Sequence, residues 1–233
     1  MRIELKPRLR MAADLVPAGA RLADVGTDHA YLPAALLLEE KIPFAIAADL
    51  RRGPLDRARA TVREYGLTEK VAFRLCDGLT GISPDETDAV VIAGMGGETI
   101  AAILKAAPWA RERGVPLILQ PMSSMPELRD WLSTNGYRIA EERLAREGDT
   151  LYTAFLVRVG EMPPLTPAEL WAGKNSCDPL RGAWLDQWIA KTGWALEGIS
   201  RARGERTTAR RRALEEVRSG LIDMKKEWEA WQQ

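Results

Sequence analysis

Short β-branched apolar runs alternate with helically spaced stretches through the first 160 residues, the pattern of βα units that build a mostly parallel sheet. The runs predict seven strands, at 21–25, 44–48, 71–75, 89–93, 117–120, 137–144 and 151–159. Helical spacing falls at 30–40, 54–65, 98–106 and 125–134, each opened or closed by Pro or Gly. Between the last two strands only a turn at 146–150 intervenes, too short for a helix, so they pair as an antiparallel hairpin at one sheet edge. The pattern then changes. Residues 162–167 read Met-Pro-Pro-Leu-Thr-Pro, a strandless linker, and helical spacing dominates beyond it. Leu185, Trp188, Thr192, Ala195 and Ile199 form one 3,4-spaced stripe, and Leu214, Val217, Leu221, Met224, Trp228 and Trp231 form another. Two such stripes in succession predict an antiparallel helical hairpin, an arm about 30 Å long. The expected organisation is an α/β domain over 1–160 and a helical, coiled-coil-like domain over 161–233.

Composition narrows the chemistry. The 233 residues include 33 Lys plus Arg, 33 Asp plus Glu, one His and two Cys. No apolar run of about 20 residues can span a bilayer and no secretory core precedes the first strand, so a cytoplasmic location without a membrane partner is expected. Cys76 and Cys177 stand far apart in unlike contexts, which excludes a disulfide framework and a Cys-x-x-Cys knuckle. With His29 the sole imidazole, a multi-His zinc site is excluded and no metal is expected. The zero net charge hides a local excess: nine basic against four acidic residues lie between Gly198 and Lys226. Six of the eight Trp also fall beyond Gly160, and packing along the seam accounts for them better than stacking on a base.

The candidate chemistry gathers at strand ends, the edge where open α/β sheets bind ligands. The first strand runs into Asp24-Val-Gly-Thr-Asp-His-Ala-Tyr31. A dinucleotide site would place further glycines after Gly26, whereas this chain places Asp28 there. A carboxylate repels pyrophosphate and pairs with ammonium or sulfonium, so an amino-acid-bearing cofactor is indicated. Asp49 closes the second strand where an acid takes both ribose hydroxyls, and Cys76-Asp77-Gly78 closes the third, where a carboxylate accepts from an exocyclic adenine amine. Ala93-Gly-Met-Gly-Gly97 closes the fourth. Singly, each reads equally as turn chemistry or a helix cap. Together they match what one adenosyl ligand requires.

These segments, with Asp24-Val-Gly-Thr-Asp-His-Ala-Tyr-Leu-Pro33, Cys76-Asp-Gly-Leu79, Gly94-Met-Gly-Gly97 and Leu119-Gln-Pro-Met122, resemble the bacterial tRNA (adenine-N1)-methyltransferases acting on adenine 22. The resemblance spans about residues 2–160. It implies a Rossmann-like seven-stranded methyltransferase sheet with a C-terminal helical coiled-coil-like arm, S-adenosyl-L-methionine as cofactor and tRNA as substrate. The cofactor set expected on that basis is Asp24, Gly26, Thr27, Asp28, Asp49, Leu50, Asp77, Gly78, Gly94, Met95 and Gly96, with Gly94–Gly97 lining the base pocket.

Asp28, His29 and Tyr31 are the catalytic candidates. Asp28 either faces the charge developing on the acceptor or holds the cofactor amino group. His29 either serves the base or is a buried structural histidine, and Tyr31 either stacks on a flipped adenine or packs on its helix. Arg201, Arg203, Arg206, Arg210, Arg211 and Arg212, placed at the arm's turn with Gly204 as the break, are the RNA-binding candidates. Lys6, Arg8 and Arg10 either add phosphate contacts or decorate a surface helix. The competing functions are a nicotinamide-dependent oxidoreductase, disfavoured by Asp28 and by the terminal hairpin, and a non-catalytic RNA-binding adaptor.

Overall fold

The structure, a computed structural model, describes residues 2–200 and 205–232, without the side chains of Ser200, Glu205 and Arg206. It forms two compact units, Met1–Met162 and Pro163–Gln233. No helix among the described residues is long and apolar enough to cross a membrane.

The first unit is one seven-stranded sheet. Strands β1 (Leu22–Val25), β2 (Ala45–Asp49), β3 (Val71–Leu75), β4 (Ala89–Gly96) and β5 (Leu117–Ser123) are parallel, and β6 (Tyr137–Glu147) and β7 (Thr150–Val159) are antiparallel, in the order β3-β2-β1-β4-β5-β7-β6. The β6–β7 connection is tighter than expected. Glu147 faces Thr150, so the loop is Gly148-Asp149 alone, with Gly148 at φ +59°.

Central strands without polar alternation must be covered on both faces. Leu22, Ala45, Ala47, Ala89 and Val91 pack toward helices α1 (Pro7–Asp14), α2 (Tyr31–Leu38) and α3 (Arg52–Glu64), whereas Ala23, Ile46, Val90 and Ile92 pack toward α4 (Gly97–Ala106), α5 (Trp109–Glu112) and α6 (Met125–Thr134). The period-two exchange of faces along each strand explains why every residue from Leu22 to Val25 is buried. Helix α2 is apolar nearly all round, and Leu32–Leu37 are all buried. α3 shows the amphipathic spacing, burying Leu55, Ala58 and Val62. Parallel neighbours β2 and β4 flank β1, so the chain reverses direction across the sheet at β1. The C-terminal ends of β1 and β4 therefore border the switch-point crevice.

The second unit is helical: α7 (Pro167–Ala172), α8 (Arg181–Ser200) and α9 (Glu205–Trp231). Helix α7 lies just beyond the expected linker and starts with a Thr166–Glu169 capping box and Pro167 in its first turn. α8 and α9 run antiparallel: a Cβ on Gly182 would strike the Trp228 ring, Lys225 pairs with Asp186, and Gly193 lies beside Arg218. Of the expected seam, Leu185, Trp188, Thr192, Leu214, Val217 and Leu221 are buried, while Trp231 stays 58% exposed. Trp184 is fully buried and meets Trp188 edge to face, as does Trp171. Three tryptophans thus make the packing cluster, and Trp194 stands outside it on the surface.

Candidate active site

Asp24 is the third residue of β1, between Ala47 and Val91, and is buried. Burial pushes its carboxyl up to about 6; the Thr27 hydroxyl lowers it and the Asp49 carboxylate adds a smaller upward push. Thr27 Oγ1 lies near enough to act on that carboxyl electrostatically but makes no hydrogen bond of proper geometry, so a buried hydroxyl is left without a partner. The strand ends at Gly26, at φ +79°, where a Cβ would collide with the Met95 side chain. Both Gly26 N–H and Thr27 N–H donate to Ala48 O, at 2.8 and 3.0 Å. These two amides are thus spent on β2. What the loop offers is carboxylate and hydroxyl oxygen, a lining for a cation rather than for pyrophosphate.

Asp28 follows on the surface and is held by Arg57 of α3, whose Nε lies 3.0 Å from Oδ1 and whose Nη2 also pairs with that oxygen. At such exposure the pair contributes about 0–1 kcal/mol, so Asp28 is free to exchange partners. His29 Nε2 stands 3.6 Å from Asp28 Oδ2, and its ring stacks on Tyr31 with centroids 5.1 Å apart and planes within 4°. Neither ring is buried: Tyr31 is 43% exposed and His29 is half-exposed, so His29 is not a buried histidine, and Tyr31 packs by one face on His29. The turn into α2 is made by Ala30 in the left-handed region, φ +54°.

One cavity of about 670 Å³ brings together Asp24, Gly26, Thr27, Asp28, His29, Tyr31 and Gly94, and its remaining wall includes the amino-terminal segment 2–9. Asp49, Leu50, Asp77, Gly78, Met95 and Gly96 do not line it. They occupy the same C-terminal edge: Asp49 pairs in register with Leu75, and Leu50 is 65% exposed beside it. Asp49 Oδ1 accepts from Arg51 N–H at 2.7 Å, while Asp77 is exposed on the loop after β3 and its carbonyl accepts from Thr80. Gly78 adopts φ +55° against Ile103.

The Gly94–Gly97 expectation divides. Gly94, at φ +80°, reaches the cavity, at a register shift of β4 against β5. Gly97 is buried where a Cβ would strike Ser124 O, so its role is close packing of α4 on the β5–α6 junction. Met95 lies over Gly26, and Gly96 faces Ser123 Oγ.

Long side chains supply what sequence spacing hides. Arg57 reaches Asp28 from 29 positions away, and Arg8 Nη1 donates to Gln120 Oε1 at 2.7 Å across 112 positions. Arg10 is committed to Asp14 and Glu39, and Lys6 Nζ lies 3.9 Å from Glu147. Of the arm arginines, Arg210 and Arg212 are exposed and Arg211 is half-buried. Arg201, Arg203, the Arg206 side chain and Gly204 lie outside the described residues.

Residues 5–155 match the methyltransferase domain family. The tRNA (adenine(22)-N(1))-methyltransferase of Bacillus subtilis is 37% identical over 159 residues, 68% of this chain and 67% of its own length. The chain belongs to the tRNA (adenine(22)-N1)-methyltransferase family. The crystal structure of the B. subtilis m1A22 methyltransferase TrmK superposes with a TM-score of 0.81 at 30% identity, over 96% of this chain and 100% of that one. A Streptococcus pneumoniae structure in complex with S-adenosyl-L-methionine gives 0.82 at 31%, over 95% and 100%. Membership in this family sets aside the oxidoreductase and adaptor readings.

Proposed function

We infer that this protein transfers a methyl group from S-adenosyl-L-methionine to N1 of an adenine in tRNA, at position 22 as in the relative from B. subtilis. The observation that carries the reading is the β1 loop. It presents the buried Asp24, the orphaned Thr27 hydroxyl and the exchangeable Asp28, while the Gly26 and Thr27 amides are already spent. Such a lining fits a cationic amino-acid moiety. When bound, the cofactor supplies an electrophilic methyl group on a positively charged sulfur.

The protein's task is then to align adenine N1 with that methyl group and to keep water out. Asp24 and Asp28 hold the ammonium end beside Gly26 and Thr27. Asp49 holds the ribose hydroxyls, Leu50 covers the cofactor's adenine, and Asp77 with Gly78 meets its exocyclic amine. Gly94, Met95 and Gly96 bound the methyl-transfer end. The parallel rings of His29 and Tyr31 form a platform of the kind on which a purine stacks, a contact worth ~1–3 kcal/mol per base. Asp28 also faces the positive charge that develops on the acceptor, and His29 is placed to take the proton that leaves N6.

We assign substrate docking to the helical unit. The exposed Arg210 and Arg212, with Arg211, point to phosphate contacts by this coiled-coil-like arm of a cytoplasmic tRNA enzyme. The test is mass spectrometry of a tRNA transcript after incubation with labelled S-adenosyl-L-methionine. N1-methyladenosine at position 22 is the expected product. Label on another base, or none, overturns the reading.

A further inference from the structure

Gln120, next to last in the buried run that opens β5, is fully inaccessible to solvent. Its side chain has four engagements, one of them from Nε2 to Met122 Sδ at 3.6 Å. Oε1 accepts from Arg8 Nη1 at 2.7 Å and from Gly94 N–H at 3.1 Å, and Nε2 donates to Pro121 O at 3.0 Å. One buried oxygen therefore joins the first turn of α1 to the cavity end of β4. Gly94 is where the β4–β5 ladder loses register and where the backbone turns left-handed, so its N–H has left the regular ladder and depends on Gln120. The Arg8 guanidinium is seated in turn. It lies 5.8 Å from the centre of the Tyr152 ring of β7, and 3.6 Å from where a Gly94 Cβ would stand. Arg8 and Gly94 share the wall of the cavity that holds Asp24, Asp28, His29 and Tyr31.

We propose that Arg8 is a positioning residue for methyl transfer, which acts through Gln120 to hold Gly94 and the β4 loop in the conformation that seats the acceptor purine. Nothing about a surface helix requires this arrangement. Arg10, two residues on, is used by Asp14 and Glu39, whereas Arg8 turns inward to a neutral amide. A charge-assisted bond to a buried acceptor is stronger than a neutral one, and it holds Oε1 in the orientation that the Gly94 amide also needs. The proposal deepens the reading of methyl transfer given above and rests on it.

The test compares the full-length parent with Arg8→Ala and Arg8→Lys in three measurements: tRNA methylation kinetics, calorimetric affinity for S-adenosylhomocysteine, and hydrogen exchange at the Gly94 amide. For Arg8→Ala we expect kcat to fall at least tenfold and KM for tRNA to change less than threefold. Affinity for S-adenosylhomocysteine should stay within twofold, and the Gly94 amide should exchange at least tenfold faster. Arg8→Lys, which keeps a donor to Gln120 but loses the planar fork over Tyr152, should fall between the two. It decides the question if the alanine variant fails to fold. A rise in KM with kcat intact would make Arg8 a phosphate contact and overturn the proposal. Weakened cofactor-product binding together with a lowered melting temperature would make it a scaffold residue and overturn the proposal equally. Unchanged Gly94 exchange refutes the relay even if the parent methylates a different nucleotide, so that result stands apart from the fate of the functional reading.

Discussion

The two units place their unpartnered buried polar atoms differently. In the helical unit, Arg181, Trp184 and Thr192 give their buried donors to the chain's own backbone, while Trp188 Nε1, Trp228 Nε1 and Arg218 Nε are buried without a partner. Arg181 donates to Ala172 O and Gly173 O, Trp184 Nε1 donates to Ala172 O at 3.0 Å, and Thr192 Oγ1 donates to Trp188 O at 2.8 Å. The Arg181 and Trp184 bonds close carbonyls left open at the end of α7, and Thr192 adds a second donor to a carbonyl inside α8. At the C-terminal edge of the sheet the Asp24 carboxyl is buried above its ordinary titration range and the neighbouring Thr27 hydroxyl is orphaned, and both line a cavity. Such groups weaken a fold left to itself and are explained by a ligand that completes them. The contrast teaches that an orphaned group bordering a cavity points to a ligand, whereas one buried in helix packing does not.

That contrast can be broken in several places. The largest effect is expected at Trp184, where Trp184→Ala should remove about 3–5 kcal/mol from the helical unit while affinity for S-adenosylhomocysteine stays unchanged; calorimetric melting and titration of the full chain report both. Asp24 comes next. Its folded carboxyl titrates near 6 against an ordinary 3.8, so the folded state binds this proton more tightly than the unfolded chain. Its contribution is therefore fully present below about pH 4 and lost as pH rises through about 6, on the order of 2–3 kcal/mol. Denaturant titrations of the ligand-free protein should show this decline, and Asp24→Asn should flatten it. An unaltered profile in the variant would remove Asp24 as the cause. Asp49→Ala should then weaken cofactor binding by about 1–3 kcal/mol, and equal affinity by calorimetry would reject the ribose assignment. The smallest effect concerns the arm. Replacing Arg210, Arg211 and Arg212 with Ala should lessen the salt dependence of tRNA binding, by up to about three in the slope of log K against log salt if all three meet phosphate.

Much of this architecture is legible in the sequence because the local signal and the tertiary demand agree. Strands buried on both faces read as continuous apolar runs, so β1 to β5 fall within a few residues of their expected bounds. The acids that close β1, β2 and β3 are visible for a related reason: a carboxylate at the end of an apolar strand conflicts with burial and so stands out. Elements with weak periodicity escape. The four-residue α5 and the six-residue α7 are too short for 3.6-residue spacing to show, and α7 hides behind the prolines that cap it. The amides of Gly26 and Thr27 cannot be judged from the loop alone, because the acceptor that takes them, Ala48 O, belongs to another strand. Arg57 and Gln120 escape as site residues for the same reason in side-chain form, and Arg8 reads only as a phosphate contact or surface decoration. A guanidinium on a flexible stem can serve any acceptor within its reach, and spacing along the chain does not say which.

The methionine resting on Gly26 ties two neighbouring loops together. Through it, the loop after β1 touches the loop that ends β4. An unbranched thioether with three rotatable bonds is among the easiest side chains to displace, since it finds new van der Waals partners wherever it swings. Met95 therefore makes a yielding joint between the two loops, able to shift its side chain without any movement of the strands that carry it.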